Sequence, residues 1–261
     1  MLFALQEEGL DVRAVQQVML NARQIKSMDE IVLLNMSASI VDGVYQVIAE
    51  NLKPGMRENQ LVAMANKFLY DNGSDDVEAI NAESGERCSP HPANFTDTLY
   101  RTGDEAFFDV IQSYMGYRTC YYRTLNVGSY TPAQKEAYQK AREWIDNAIE
   151  LVKPGLTTDK IAAVWPRAEE FGFASEMEAF GLQFGHGLGL ALHERPIISR
   201  LVSFENPFEL EEGMVFALET YCPAEDGNGA ARIEEEVVVT ADGCKVITLF
   251  PSKELFVANA Y

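Results

Sequence analysis

The sequence predicts an α+β fold built from two related halves, with helices covering a mainly antiparallel sheet. A helix–Lys-Pro-Gly–helix unit occurs twice, because Lys53-Pro54-Gly55 is matched by Lys153-Pro154-Gly155. Each unit is followed by segments rich in β-branched and aromatic residues, which favour strands. The repeat falls at half-chain distance rather than at the short period of a solenoid. It therefore indicates two halves packed about a pseudo-twofold axis.

The first half starts with a well-marked helix. Ser27 and Glu30 have the spacing of a capping box, and the apolar pattern continues the helix to about Leu52. A second helix is predicted from about Glu58 to Tyr70, after which an Asn-Gly pair breaks the chain. The strand-like segments that follow are residues 77–80, 106–111 and 117–127.

In the second half, Thr158 is the expected N-cap of a helix that continues to Phe171. A glycine-rich segment over residues 184–196 is then predicted to form a strand and a turn. The remaining strand-like segments are residues 214–221, 231–239 and 245–250. The two halves make one domain over residues 27–261, whereas residues 1–26 are expected to be an N-terminal extension or the remnant of an upstream segment.

The composition argues against several classes of protein. The 261 residues carry a formal net charge of −19, whereas nucleic acid and anionic membranes require clustered Lys and Arg. No uninterrupted apolar run reaches the roughly 20 residues of a membrane span, and the first residues do not resemble a secretion signal. We therefore expect a cytoplasmic protein without nucleic-acid or membrane partners. The four cysteines form no CxxC pair and are expected to be free thiols.

Candidate site residues stand out by their position in these segments. His186 lies between glycines and seven residues before His193, so two of the three histidines fall in one short segment. Asp109, Glu219 and Glu234 each interrupt an apolar strand, where an unpartnered carboxylate is costly. A salt bridge or an edge position would explain any one of them. Together with His186 they suit either a metal site or a group of carboxylates that shift one another's pKa for acid–base chemistry.

Taken in order, these motifs resemble the pita-bread fold enzymes, a family that includes methionine aminopeptidase, aminopeptidase P, prolidase and the metal-free creatinase. The resemblance begins at about Ser27 and implies a pita-bread catalytic domain over residues 27–261. In motif pattern it is nearest to the Xaa-Pro peptidase-like members. The segments that carry it are Gly-His-Gly-Leu-Gly at 185–189, His-Glu-Arg-Pro at 193–196, Gly-Met-Val-Phe-Ala-Leu-Glu at 213–219 and Arg-Ile-Glu at 232–234.

The peptidases of this family bind two metal ions through five side chains. Matched residue by residue, the resemblance implies that four of these ligands are Asp109, His186, Glu219 and Glu234. The fifth is an aspartate eleven residues after the first, and here Cys120 takes its place within the frame Gly-Tyr-Arg-Thr-Cys. The metal site predicted by the resemblance is therefore degenerate at one position.

This replacement leaves three outcomes for the metal site. A Cys120 thiolate that binds metal would favour Zn or Fe over Mn. The other four side chains could instead bind one ion weakly, or the site could be metal-free, as in creatinase. For the cysteine itself, a buried thiol without a chemical role and a nucleophile are alternatives to ligation. The cofactor prediction is thus a divalent metal (Mn, Co, Fe or Zn) at a degenerate site, or none.

The resemblance implies a hydrolase of an amide or peptide C–N bond, with Xaa-Pro dipeptidase or aminopeptidase activity as the leading hypothesis. With metal bound, Glu219 would combine ligation with proton transfer, while His91 and His193 would orient the scissile amide. Without metal, His91 would be the general base or acid of a creatinase-like hydrolase of a small nitrogenous metabolite. A non-catalytic binding protein is the third hypothesis, and the retained histidines and glutamates weigh against it.

The predicted partners follow from the same site. Either hydrolase would act on a small molecule or a short peptide, and the acidic side chains predict a substrate with a cationic end. The family resemblance implies a homodimer.

Overall fold

The computed structural model describes residues 1–90, 93–180 and 184–260 and shows helices packed on mainly antiparallel sheets. Its α-helices are α1 (Leu2–Glu7), α2 (Gln16–Arg23), α3 (Met28–Asn51), α4 (Glu58–Asp71), α5 (Pro132–Leu151), α6 (Thr158–Ala162), α7 (Glu176–Phe180) and α8 (Arg200–Ser203). Its strands are β1 (Asp76–Ser84), β2 (Glu105–Tyr114), β3 (Tyr117–Val127), β4 (Gly185–Gly187), β5 (Glu194–Ile198), β6 (Val215–Glu219), β7 (Cys222–Pro223), β8 (Ala230–Ala231), β9 (Glu234–Val239), β10 (Cys244–Val246) and β11 (Phe256–Ala258). The predicted α+β class is confirmed.

The first half is a four-stranded sheet in the order β1-β2-β3-β11, covered by α3 and α4. Helix α3 starts with the predicted capping box, in which the Glu30 amide donates to Ser27 Oγ at 3.3 Å and the Ser27 amide donates to Glu30 Oε2 at 2.8 Å. Strands β2 and β3 pair antiparallel through the predicted turn, where Met115 and Gly116 both have positive φ. Strand β11 joins β3 in parallel, a pairing that the sequence pattern did not predict.

Helix α3 is long and apolar enough, by length and composition alone, to cross a membrane. The sequence analysis missed this because single polar residues interrupt the apolar run. In the fold, Leu34, Val41, Val44 and Ile48 of α3 are fully buried in the protein core. These contacts are those expected of the core helix of a folded domain.

The second half is a five-stranded sheet in the order β10-β9-β6-β4-β5, covered by α5 and α6. The two halves repeat the same local structure after each Lys-Pro-Gly segment. Gly55 and Gly155 have φ of 87° and 83°, a conformation that glycine adopts without strain. Their amides donate to Tyr100 O at 2.8 Å and Leu210 O at 2.9 Å, respectively. The duplication inferred from one tripeptide therefore extends to the hydrogen bonding around it.

Three element predictions for the second half are wrong in extent. The helix expected from Thr158 to Phe171 stops at Ala162, because Pro166 has no amide hydrogen and restricts the residue before it. A 3-10 turn over Ala168–Phe171 follows. The strand expected over 231–239 is split into β8 and β9. In place of the strand expected over 245–250, the structure has only the shorter strand β10.

The two sheets meet at β3 and β9. Glu236 of β9 accepts hydrogen bonds from Thr119 Oγ1 at 2.7 Å and from the Cys120 amide at 2.8 Å, both on β3. All four cysteines are free thiols, as predicted. The candidate site residues of both halves lie beside this junction.

Candidate active site

The first sheet contributes Asp109 and Cys120. Asp109 of β2 stands directly opposite Asn81 of β1 and Tyr122 of β3, and Cys120 precedes Tyr122 by two residues. Because side chains of a strand alternate between faces, these four side chains point to the same face of the sheet. The Asn81 amide donates to Asp109 Oδ2 at 3.0 Å, and the Cys120 thiol donates to Asp109 Oδ1 at 3.6 Å.

The second sheet contributes His186, Glu219 and Glu234. Glu219 at the end of β6 is paired with Glu234 at the start of β9, so their side chains share one face. His186 of β4 is paired with Ala217, two residues before Glu219, and therefore points to that face as well. Hydrogen bonding between neighbouring strands thus brings together three side chains that are far apart in sequence.

The side chains from the two sheets converge at one place. The ligand atoms of Cys120, His186 and Glu234 all lie within 4.8 Å of one another. His186 Nε2 is 3.6 Å from Glu219 Oε1 and 3.9 Å from Glu234 Oε1. Asp109 adjoins the same group through its contact with Cys120. The structure therefore assembles all five positions that the sequence matched to the metal ligands.

A simple salt bridge does not explain these carboxylates. Within the described residues, Asp109, Glu219 and Glu234 form no ion pair with Lys or Arg; the neighbouring Glu235 instead pairs with Arg123 and Arg142. Both Glu234 carboxylate oxygens are buried and have no hydrogen-bond partner in the part of the chain that the structure describes. Buried oxygens of this kind are normally hydrogen-bonded or bound to metal. The salt-bridge explanation left open by the sequence is thus excluded for the described residues.

Burial and mutual repulsion raise the pKa values of these carboxyls. Burial raises the pKa of Asp109 to about 6, although the Asn81 and Cys120 hydrogen bonds oppose the shift. Burial and then the Asp109 charge raise the pKa of Glu219, and burial followed by the Glu219 and Asp109 charges raises that of Glu234 further. Without a cation, the cluster therefore holds protons near neutral pH.

The thiol of Cys120 responds to the same surroundings. Burial, followed by the charge of Asp109, raises its pKa well above the ordinary value. A thiol in this state is a poor nucleophile, since the thiolate is the reactive form. A cation in the cluster would reverse this effect, because a coordinating thiol loses its proton.

His186 is held as a neutral imidazole. Burial, with a smaller contribution from His193, lowers the pKa of His186 to about 3. Its Nδ1 lies 3.1 Å from the carbonyl oxygen of Gly187, and an Nδ1–H that donates there leaves the Nε2 lone pair facing the carboxylates. This is the orientation that a metal-binding histidine requires.

The other two predicted histidines have different outcomes. His193 is exposed, and its ring centroid lies 4.2 Å from that of His186, so it marks the opening of the site. Burial lowers the pKa of His193 as well. His91 lies outside the described residues, and its predicted substrate contact stays a prediction.

Glycines around His186 are required by the close approach of neighbouring strands. A Cβ on Gly185 would collide with the carbonyl oxygen of Ala217, and one on Gly187 would collide with that of Arg195. A Cβ on Gly189 would lie 2.6 Å from Glu194 Oε2. Packing thus explains these glycines.

Tyr122 is a site residue that the sequence analysis missed. Its hydroxyl donates to the carbonyl oxygen of Thr220 at 3.1 Å and lies 3.5 Å from Glu219 Oε2. Asn81 and Glu236 were missed too, although they hold Asp109 and the Cys120 amide in place. The two-residue period from Cys120 would have put Tyr122 on the site face, but an aromatic residue in a strand more often indicates core packing.

Comparison with solved structures identifies the architecture. The chain is similar to an Xaa-Pro dipeptidase from Bacillus anthracis, with a TM-score of 0.84 and 29% identity, covering 98% of this chain and 70% of that one. It is also similar to dipeptidase PepE from Mycobacterium ulcerans, with a TM-score of 0.83 and 27% identity, covering 98% and 67% of the two chains. Two duplicated halves with this site between their sheets define a pita-bread fold enzyme scaffold.

The family follows from the sequence comparison. The sequence model of metallopeptidase family M24 matches residues 33–241, and the chain belongs to this family. It is 29% identical to the Xaa-Pro dipeptidase of Pyrococcus furiosus over 243 residues, which is 91% of this chain and 67% of that protein. The chain spans 62% to 67% of the length of four such curated relatives. The resemblance drawn from the motifs is therefore confirmed at the level of the family.

Proposed function

We propose that this chain hydrolyses the C–N bond of an Xaa-Pro or related dipeptide and uses one divalent metal ion held by Cys120, His186 and Glu234. The observation that carries the proposal is the compact group of one sulfur, one nitrogen and one oxygen donor within 4.8 Å of one another. Family membership supports the reaction class. The relatives named as dipeptidases support the choice of substrate.

The three donors suit a metal ion in their chemistry as well as in their position. His186 is neutral, and the Glu234 oxygens have no partner in the described protein, so a cation would satisfy an otherwise unpaired buried group. A thiolate, an imidazole and a carboxylate form a mixed set that favours Zn or Fe over Mn. When bound, such an ion supplies Lewis-acid chemistry that polarises the scissile carbonyl and activates water.

The side chains that would be needed for a second ion already have partners within the protein. Asp109 accepts a hydrogen bond from the Asn81 amide. Glu219 is contacted by the hydroxyl of Tyr122, whose ring stands beside Asp109 in the neighbouring strand. These contacts favour one ion over the pair that the family's five ligands hold.

The remaining groups act on protons and on the substrate. Glu219 adjoins the donor group, with its Oε1 3.6 Å from His186 Nε2, and it is the group that would transfer a proton to the departing amine. His193 stands exposed at the opening, beside His186, where it would contact the peptide bond. We assign His91 the second substrate contact on the basis of its family motif alone.

Metal content and turnover test this proposal together. The protein is purified without chelators, its metals are quantified, and hydrolysis of matched Xaa-Pro and Xaa-Ala dipeptides is measured. We expect about one equivalent of Zn or Fe per chain, at least tenfold weaker metal binding in Cys120→Ser, and a shift toward Mn in Cys120→Asp. Cys244→Ser is the control, because this half-buried thiol lies outside the donor group.

A creatinase-like, metal-independent hydrolase of a small nitrogenous metabolite is the second candidate. It is favoured by the internal partners of Asp109 and Glu219, which stabilise these carboxyls without an ion. A metal-free protein that keeps turnover after chelation, and loses it in His91→Ala, would contradict the metallopeptidase and support this alternative. Metal in stoichiometric amount would contradict the alternative, and turnover of any amide rejects a purely binding role.

For the substrate and the assembly we propose a cationic end and a homodimer. Several buried carboxyls in one site favour a positively charged group, such as the free amine of a dipeptide. Loss of hydrolysis on N-acetylation of the dipeptide tests the charge requirement. Sedimentation at micromolar protein concentration tests the dimer.

A further inference from the structure

The turn that carries His193 is built around one buried carboxylate. Residues 188–193 connect β4 to β5, and Glu194 follows His193 directly. The Glu194 side chain is fully buried, and its Oε1 accepts the Ala191 amide at 3.0 Å. Gly189 approaches Glu194 Oε2 so closely that a Cβ on this glycine would lie 2.6 Å from that oxygen. The turn therefore wraps around the Glu194 carboxylate, which fixes its shape.

The charge of this carboxylate is balanced from the N-terminal segment. Lys26 Nζ lies 3.0 Å from Glu194 Oε2, and the Lys26 side chain is 1% exposed. Arg23 Nε, at the end of α2, is 3.4 Å from Oε1 without hydrogen-bond geometry. Glu194 makes no other ion pair within the described residues. Lys26 thus supplies its only buried cation.

Lys26 is itself held at a fixed position. Its amide donates to the carbonyl oxygen of Gly213 at 2.9 Å, immediately before Met214 and strand β6. Helix α2 is attached to β5 nearby, where Arg195 donates to Gln17 Oε1 at 2.9 Å and to Asn21 Oδ1 at 3.2 Å. Residues 16–26, which the sequence analysis assigned to an extension, therefore contact the wall of the site.

We propose that Lys26 is a positioning residue for His193, acting through Glu194 to hold the 188–193 turn in the conformation that presents the imidazole at the opening of the site. This rests on the proposed function only where turnover is concerned. Removing the Lys26 cation leaves the buried Glu194 carboxylate with the Ala191 amide and the partial contact of Arg23, and a buried charge that has lost its ion partner is costly, which drives it toward water. The turn wrapped around it must then move, and His193 moves with it.

The histidines give a readout that does not require activity. The chain has three, so imidazole nitrogen NMR yields three spin systems, and His193→Gln assigns the relevant one. In Lys26→Met we expect shifted or broadened His193 signals with smaller changes at His186, whose backbone is paired on both sides by β5 and β6. Lys140→Met is the control, because it removes a lysine from a partly exposed ion pair on α5.

Kinetics distinguish positioning from general destabilisation. We expect Lys26→Met to lower kcat/KM at least tenfold with unchanged metal content, and Glu194→Gln to have a similar effect. The double variant Lys26→Met/Glu194→Gln should be no worse than the single variants, since both act through one contact. If Lys26→Met does not fold, Lys26→Gln, which keeps a hydrogen-bond donor, replaces it.

The outcomes separate this proposal from the proposed function. Unchanged His193 signals in a folded Lys26 variant overturn it, as do additive effects in the double variant. A wild-type protein without dipeptide hydrolysis would contradict the proposed function, yet the NMR shifts would still support the positioning role.

Discussion

At the scale of single residues, Cys120 changes the chemistry of the site most. An aspartate there would add a fourth carboxyl beside Asp109, Glu219 and Glu234, whose protons are already retained by burial and repulsion. The thiol is neutral in the absence of metal, donates to Asp109, and becomes a soft ligand only when a cation removes its proton. The replacement therefore lowers the electrostatic repulsion within the cluster when no cation is bound, and we expect it to alter the metal preference.

Tyr122 gives a prediction at the same scale. Tyr122→Phe removes the hydroxyl that donates to Thr220 O and contacts Glu219, while the ring stays in place. We expect a loss of about 1 kcal/mol in the free energy of unfolding, since one buried hydrogen bond is lost. We also expect kcat to fall about tenfold, because Glu219 is no longer oriented for proton transfer. Denaturant titration and steady-state kinetics measure the two effects.

Phe95→Leu is a suitable control for that variant, because Phe95 is partly exposed and is not part of the candidate site. If kcat is unchanged in Tyr122→Phe while the stability falls, Tyr122 has only a structural role.

At the scale of elements, the β4–β5 hairpin determines the position of both histidines of the second half. His186 lies within β4 between Gly185 and Gly187, and both neighbouring strands approach it closely. The backbone carbonyls of Ala217 and Arg195 occupy the space that side chains would need at these glycines. A backbone cannot yield as a flexible side chain can, so the hairpin tolerates only glycine there.

The hairpin predicts the effect of adding a single methyl group. Gly187→Ala should lower stability by about 1–3 kcal/mol, because the new Cβ collides with the Arg195 backbone and forces the strands apart. It should weaken metal binding as well, since His186 adjoins the displaced peptide. Gly243→Ala is the matched control: a Cβ there meets no atom within 4 Å. Thermal unfolding and metal titration of both variants check this, and equal effects would contradict it.

At the scale of the whole molecule, the formal net charge of −19 counts every carboxyl as ionised, although several carboxyls are buried. Glu83 of β1 and Glu105 of β2 lie in the first sheet, and both side chains are fully buried. Burial raises the pKa of Glu83 to about 7 and that of Glu105 to about 8. The folded protein therefore retains protons that the unfolded chain releases.

This retention predicts that stability falls as the pH rises. Above about pH 4.5 unfolded glutamates are ionised, whereas folded Glu105 stays protonated until about pH 8, so the folded state binds more protons. The stability that the Glu105 proton contributes is fully present below the pKa of an unfolded glutamate. It is lost as the pH rises through the pKa of folded Glu105. Glu105→Gln should flatten the decline by up to about 1.4 kcal/mol per pH unit.

Urea titrations between pH 5 and pH 9 measure that slope. Glu136→Gln is the control, because Glu136 is an exposed partner of Lys140 on α5. A parallel decline in wild type and Glu105→Gln would contradict the assignment.

The sequence predicted the fold class and the duplicated halves, and its resemblance to the family picked out the five positions of the candidate metal site. Capping boxes, turns and strand periodicity are local signals, so α3, β2 and β3 were predicted within a few residues. Site motifs are equally local, because each ligand is fixed by its own strand and the pairing of strands then brings the ligands together.

The interactions among these residues depend on the tertiary fold. The pairing of Glu219 with Glu234, the contact of Tyr122 with Glu219 and the link from Lys26 to Glu194 join residues that are distant in the chain. The pKa values of the buried carboxyls depend on burial and on neighbouring charges, neither of which is encoded in spacing. For the same reason, the N-terminal segment looked peripheral in sequence until the fold placed Lys26 against Glu194, the residue after His193.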